Sequence, residues 1–464
     1  MPAADSGAYR LRWGILGILL IGTVTGTLGN SLVNVALPTM MEHFSVDVST
    51  GIWAVTIYIL FFAVTMPLFG RLGDMYGYKR TYLLGLSVFA LSSALAAFAP
   101  NFLSLVILRA LQGFSNGPIL PAIMAIVGTV FPPGERGRAM GIWALANSAT
   151  HAAGPPLGGF LTQYFGWQSI FISYVPLCIV GVFLVLRLVP DDRKSQPEPF
   201  DVLGAITLTA ATLILMFNLR QVAYVGWTSP TILALWALFL ALLAAFFLAE
   251  RRTQQPFVDL HLFANRAFSS ATTIAFVQAF CQFGLLFLIP LFLIDMQGYP
   301  AAQTGLIVAC LPVTMAIAAP LAGRLADRFG CRLLCSLGMA ILAISGLLLS
   351  PLDATSPSWY LVAGLSLAGI GMGMIQSPAP AAVSLVMPLH QLGVALGLFN
   401  MFRFVGATLG PTVFALVLQA LGPQPTMAGF RVDFYLVSLA AILALFVGLG
   451  VPGVRPDLDS PWEE

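Results

Sequence analysis

Charge is what this sequence has least of. Lys, Arg, Asp and Glu make up 9% of 464 residues, 21 basic against 19 acidic, while 58% are hydrophobic and the mean hydropathy is +0.91. A soluble globule of this length needs far more polar surface than that, so lipid must be the solvent. Acids are missing from the interiors of the apolar runs; every Asp and Glu reads as lying in a loop, a tail or at a helix end. Cysteine is sparse as well. Cys178, Cys281 and Cys310 fall within apolar runs and Cys331 and Cys335 near a boundary, which supports neither a disulfide framework nor a zinc pattern. The alternating ten-residue segments of a membrane β-barrel are absent. No paired buried carboxylates, His/Cys cluster or phosphate-cradling loop occurs, and no segment outside the apolar runs is long enough for a catalytic or signalling domain. A membrane enzyme or receptor is therefore disfavoured, and neither cofactor nor metal is expected. The net charge of +2 forms no basic patch, so nucleic acid is not an expected partner.

What is present is a succession of uncharged stretches, each long enough for the roughly 20 apolar residues of one helical crossing. They lie near 13–36, 50–70, 81–99, 102–130, 137–162, 167–188, 202–219, 230–249, 267–293, 302–322, 333–350, 359–377, 391–420 and 433–452. The expected fold class is an all-α membrane protein with 14 transmembrane helices. Two long uncharged runs are each divided in two, at "QYFGWQS" and at "SPAPAAVSLVMPLHQ". Basic residues are retained on the cytoplasmic side. With both termini inside, nearly all Lys and Arg fall in cytoplasmic loops; the outer loops hold only Arg220 and Arg431, and Arg109 and Arg403 lie within helices. The first apolar run has no short h-region ending in a cleavage site, so it reads as a retained helix, and the plasma (inner) membrane is the expected location.

The few charges recur in a pattern. "GRLGDMYGYKR" (70–80) and the looser "GRLADRFGCRL" (323–333) each join the second and third helices of a set of six. The chain therefore reads as a duplication: an N-terminal six-helix bundle over 13–188, a linker with an inserted helix pair over 189–266, and a C-terminal six-helix bundle over 267–452. Paired bundles are the architecture of many secondary transporters, which rock about a site near the membrane midplane.

With these motifs the chain resembles the major facilitator superfamily, and within it the 14-helix drug:proton antiporters. "GRLGDMYGYKR" is similar to that family's loop signature, "LVILRALQGFSNG" (105–117) to its helix-4 signature and "AGPPLGG" (153–159) to its antiporter signature; "NVALP" (34–38), "PFDVLG" (199–204) and "PFVDLHLF" (256–263) are further matches. The resemblance spans the whole chain. It implies export of lipophilic small molecules by alternating access with proton antiport, and a monomer among membrane lipids. A lipid or metabolite transporter of the same fold, without stoichiometric proton coupling, is the alternative.

The resemblance also implies a conformational switch at Asp74, with Gly70 allowing close helix approach and Arg71, Lys79 and Arg80 as candidate partners; Asp327 stands in the second copy. Gly154, Pro155, Gly158 and Gly159 form a candidate hinge in the fifth helix, echoed by "GATLGP" (406–411). A candidate substrate cavity draws on Asn30, Asn34, Arg109, Gln112, Asn147, Gln278, Gln282, Gln376, Asn400 and Arg403, a set whose charge favours neutral or anionic amphiphiles. His151 falls near mid-membrane, where it either carries a proton or serves as a structural hydrogen-bonder. Asp295, at the outer end of the ninth helix, is the other proton candidate. The family's helix-1 aspartate is replaced here by Gly29, which removes the usual cation-recognising acid.

Overall fold

Long apolar runs in lipid have to satisfy every backbone group internally, and they do so as helices. A computed structural model describes residues 6–46, 48–51, 53–191, 201–226, 229–253, 256–299, 301–388, 391–421, 426–451 and 453. The opening Pro-Phe of the "PFDVLG" motif, the linker before it and part of the C-terminal tail lie outside the described residues. Among those described there is no strand.

The helices are, in chain order, α1 (Ser6–Phe44), α2 (Val48–Gly51), α3 (Trp53–Tyr76), α4 (Tyr78–Ala96), α5 (Phe102–Asn116), α6 (Ile119–Val130), α7 (Pro133–Phe165), α8 (Gln168–Leu188), α9 (Val202–Val225) and α10 (Pro230–Arg252). Then follow α11 (His261–Ala264), α12 (Arg266–Leu291) with a π-helical turn at Phe292–Met296, α13 (Ala301–Val308), α14 (Cys310–Phe329), α15 (Cys331–Leu349), α16 (Ser358–Gln376), α17 (Pro378–Val386), α18 (Leu392–Ala420) and α19 (Met427–Gly448). Twelve spans among the described residues are long and apolar enough to cross a membrane. The rods α4 and α7 fall outside that set; α4 opens on Lys79 and Arg80, and the uncharged part of α7 is diluted by Asn147, Ser148, Thr150, His151 and the prolines and glycines of "AGPPLGG".

Local sequence sets the breaks. The run at 102–130 reads as one crossing but is split at Gly117–Pro118, because proline has no N–H to continue α5 and instead starts α6. The prolines of "SPAPAAVSLV" read as a divider, yet Pro378 sits at the first position of α17, so helix continues to Val386. Asn101 caps α5 in a reciprocal box with Ser104, Asn265 accepts from the Ala267 and Phe268 amides at the start of α12, and Thr426 accepts from the Gly429 amide to open α19. Gly77 and Gly330 hold φ of 97° and 85°, the left-handed region that lets the chain turn back within one residue in both copies of the repeated motif. In the loop after α15, side-chain and backbone hydrogen bonds from Thr355 and Ser356 hold the Asp353 carboxyl below the usual carboxylate range.

The chain resolves into two compact units: residues 1–132, 146–205 and 388–398 form one, and residues 133–145, 206–387 and 399–464 the other. In the first, α3 packs on α5, α4 on α5, α6 and α8, and α1 on α6 and α8. In the second, α14 packs on α16, α15 on α16, α17 and α19, and α12 on α17 and α19. The two packing schemes are the same once α1 is matched to α12, α3–α6 to α14–α17 and α8 to α19. In the second unit α9 also lies on α18, where the Thr412 hydroxyl donates to the Leu219 carbonyl. Outward faces carry leucine and phenylalanine, as along α8 (Ile172, Ile179, Phe183, Leu186) and α10 (Leu233, Leu240, Leu248), the composition hydrocarbon requires.

Candidate functional site

Each copy of the repeated motif carries an aspartate in the last turn of its helix, and each aspartate meets backbone amides. In the first unit Asp74 is buried and accepts from the Gly393 and Val394 amides, both at 2.8 Å, and from the Tyr78 hydroxyl. Since α18 begins at Leu392, these are amides of its first turn, which have no partner within the helix and carry its positive dipole end. In the second unit Asp327, half-buried, accepts from the Gly137 and Arg138 amides near the start of α7, again at 2.8 Å each.

Glycines make both approaches possible. A Cβ on Gly323 would overlap the Gly137 carbonyl, and a Cβ on Gly137 would overlap that of Gly323. Gly70 and Gly393 stand in the same relation in the first unit. One turn along, Gly141 lies on Pro320 and Gly397 on Pro67. Arg71 is buried, Arg80 is exposed, and the Lys79 ammonium donates to the Val189 carbonyl at 2.6 Å, past the C-terminal end of α8. Beside the second latch, Arg136 donates to the Ser384 carbonyl at 2.9 Å.

The first unit holds a buried polar network. Arg109 is wholly enclosed: it donates to the Ala54 carbonyl (2.8 Å) and to Gln112 Oε1 (2.6 Å), and its guanidinium lies 4.3 Å from the Tyr58 ring centroid. Gln112 donates on to Ser93, Asn116 to the Tyr58 hydroxyl, and that hydroxyl to the Gly26 carbonyl. These groups are bonded to one another inside the bundle. Asn30 is half-buried and Asn34 exposed, with the Asn34 amide donating to the Asn30 carbonyl; half-buried Asn147 accepts from Thr27. The sequence expects helix 1 to lack an acid, and the space agrees: a Cβ at Gly29 would already press on the Phe89 ring.

Helix α7 runs unbroken through "AGPPLGG". Gly154 and Gly158 seat it on Ser31 and Leu32 of α1, whereas Gly159 faces open space. The His151 side chain is exposed, and its carbonyl accepts weakly from Ser31.

In the second unit the buried Gln278 donates to Gln282 at 2.9 Å. Gln376 sits at the end of α16, immediately before the Ser377–Pro378 break, with neither side-chain polar atom bonded among the described residues. Asn400 is buried and Arg403 half-buried in α18. Asp295 is exposed within the π-helical turn.

One ionisable group escapes the sequence reading. The expectation that all acids lie in loops or at helix ends fails at Asp433, because α19 starts at Met427 and not at 433. Its side chain is fully buried, with both carboxylate oxygens unbonded among the described residues. The available signal was Thr426 as a capping residue followed by an apolar face of Phe430, Phe434 and Val437, which carries Asp433 inward.

Comparisons with known proteins converge. The family model described as Major Facilitator Superfamily matches residues 19–411 and 271–464. The riboflavin transporter RibZ of Clostridioides difficile is 30% identical, covering 88% of each chain. The multidrug resistance protein Stp of Mycobacterium tuberculosis is 32% identical over 84% of this chain and 72% of its own. Among solved structures, the human organic anion transporter MFSD10 superposes with a TM-score of 0.71 at 18% identity, covering 93% of this chain and 98% of that one, a likeness of fold.

Proposed function

This chain belongs to the Major Facilitator Superfamily and is a membrane transporter rather than an enzyme, and from that premise we propose that it exports lipophilic small molecules by proton-coupled alternating access. The observation that carries the mechanism is the repeated latch, in which Asp74 and Asp327 each hold the start of a distant helix by two amide hydrogen bonds. A carboxylate on a helix N-terminus is favourable while the contact lasts and is lost as a unit when the helix moves off. Such contacts suit a fold that must occupy two states in turn.

The substrate reading is neutral or anionic amphiphiles in preference to cations. It is supported by the glycine at position 29, where a carboxylate has no room, and by the half-buried cation Arg403; kinship with a multidrug resistance protein supports drug-like substrates without choosing their charge. Polar groups on each half, Asn30, Asn34 and Asn147 in the first and Gln278, Gln282, Gln376 and Asn400 in the second, supply hydrogen-bonding positions. Arg109 and Gln112 act behind them by holding α5 in place. His151 and Asp295 are the proton candidates first suggested by the sequence.

In the proposed architecture α4 and α7 cross the membrane with the twelve more apolar spans, giving fourteen crossings. Bundles at 13–188 and 267–452 then flank the pair α9 and α10 within 189–266. Both termini face the cytoplasm at the plasma membrane, and the protein works as a monomer with lipid on its apolar faces.

Kinship with a riboflavin transporter favours a second reading, a metabolite carrier without stoichiometric proton coupling. Purified protein in liposomes separates the two. Riboflavin, a neutral and an anionic lipophilic dye, and the cation ethidium are offered with and without an imposed pH gradient. Accumulation of the dyes driven by the gradient, with proton flux and with ethidium least favoured, supports the proposal; riboflavin movement indifferent to the gradient supports the second reading; no movement of any probe refutes both.

A further inference from the structure

We propose that Asp433 is a proton-binding site of the transport cycle, a carboxyl group that takes up a proton from the side of the membrane nearer the start of α19 and gives it up when the conformation changes. The inference rests on the proton-coupled reading above and assigns it a residue that neither the motifs nor the family resemblance indicated.

Position comes first. Asp433 lies six residues beyond Met427, about 9 Å along the helix at 1.5 Å per residue, well within an apolar span. Its helix face is packed, with the Phe430 ring set edge-on to Phe292 (centroids 5.3 Å apart) one turn before it and the Val437 carbonyl facing Cys281 one turn after it. Between those contacts α12 presents Leu285, Leu288 and Ile289, all completely buried. Neither Asp433 oxygen meets a hydrogen-bond donor among the described residues.

Among the described residues no cation compensates the carboxyl. On α19 the flanking Arg431 and Tyr435 are exposed. On α15, the 342–349 end that packs near Phe434 and Ser438 has no titratable side chain; Cys331, Arg332 and Cys335 belong to the other end, where Arg332 donates to the Val451 carbonyl. From α12 the titratable neighbour is the buried thiol of Cys281, and α18, which touches Gly429 through Leu418, has none beyond Arg403. Asp295 is exposed in the π-helical turn that begins at Phe292.

An ionised carboxylate without donors in hydrocarbon is strongly disfavoured, and the neutral acid is the form this packing accommodates. An acid serving only to fill this space would be better replaced by leucine; an acid that has to load a proton needs both this dry state and a wetter one. The step balances simply: a carboxylate oxygen gains one proton from water on one side, becomes neutral and buried, and loses that proton to water in the alternate state. The π-helical turn beside Phe430 is the natural place for access, since such turns interrupt regular helix bonding and recur at functional sites.

The test uses full-length protein in liposomes, as wild type, Asp433→Asn and Asp433→Glu. Counterflow of the anionic lipophilic dye, which needs no net proton movement, is expected to stay within about twofold in the Asn variant, while its pH-driven accumulation falls about tenfold or more and the Glu variant recovers part of it. Infrared difference spectra taken on raising the pH are expected to show the carbonyl stretch of a protonated acid in the wild type, lost in Asp433→Asn and shifted in Asp433→Glu. An Asn variant with wild-type proton-driven accumulation and an unchanged acid band overturns the proposal while leaving proton coupling intact. Wild-type protein that moves riboflavin without any proton flux refutes the coupled reading itself, and the infrared arm then decides whether Asp433 binds a proton.

Discussion

Gly70 and Gly393, one in the repeated motif and the other at the start of α18, lie so close that a Cβ on either would overlap the carbonyl oxygen of its partner. This approach is what brings the Gly393 and Val394 amides within reach of Asp74. Gly393→Val is therefore expected to separate the two helices and lower transport about tenfold or more, by removing both charge-assisted bonds. Initial transport rates at matched protein levels check this, and a wild-type rate for Gly393→Val contradicts it.

Asp74→Asn and Asp327→Asn keep the size of the side chain but remove the charge and one of its two acceptor oxygens. Each bond to a charged group contributes about 1.5–3 kcal/mol, so each variant is expected to shift the conformational balance about tenfold or more and slow transport, with expression near normal. Binding of the probes by equilibrium dialysis should change little. A variant that transports at the wild-type rate removes that latch from the cycle.

The all-helical membrane fold was legible in sequence because long apolar runs survive without any knowledge of contacts, and the repeated "GRL-x-D" marked the two helix ends that carry Asp74 and Asp327. The amide contacts of Asp74 were not: nothing local marks Gly393 and Val394, far along the chain, as donors to it. Arg109 and Gln112 read as cavity-lining because buried polar residues look alike in sequence whether they face a ligand or each other. Asp433 was missed through a boundary set at the charge itself, whereas the helix starts at the Thr426 cap and carries the acid inward. In "SPAPAAVSLV" the prolines were read as a break, although proline at a first helical position starts a helix.

The glycines of "AGPPLGG" differ in their surroundings, which separates packing from hinge effects. Gly154→Ala meets Ser31 and is expected to lower both the unfolding temperature and transport, while Gly159→Ala meets nothing within 4 Å and should be nearly silent in stability. Thermal unfolding in detergent reads the first property. A Gly159→Ala variant with normal stability but lost transport would assign that residue to bending rather than packing.

Gly29→Asp restores the family's helix-1 acid in a place filled by Phe89. Overpacking costs about 1–3 kcal/mol, so the variant should unfold at lower temperature and should gain no ethidium transport; the double variant with Phe89→Ala should regain stability. Ethidium efflux by Gly29→Asp alone would show that the site can open to admit an acid.

Arg109→Lys loses the bonds to Ala54 and Gln112 and the stack on Tyr58, since an ammonium cannot reproduce the guanidinium fork. Destabilisation of order 3 kcal/mol is expected for a buried charge left short of partners, read as a large drop in unfolding temperature. Unchanged stability with weakened probe binding would instead make Arg109 a ligand contact.

The most direct measurement is the distance between spin labels at Tyr76, exposed at the end of α3, and Gln391, just before α18. Latched wild-type protein is expected to give one short distance, and a second, longer population should grow during pH-driven transport and dominate in Asp74→Asn. A single short distance under every condition, in a protein that still transports, would contradict a cycle in which this contact opens and closes.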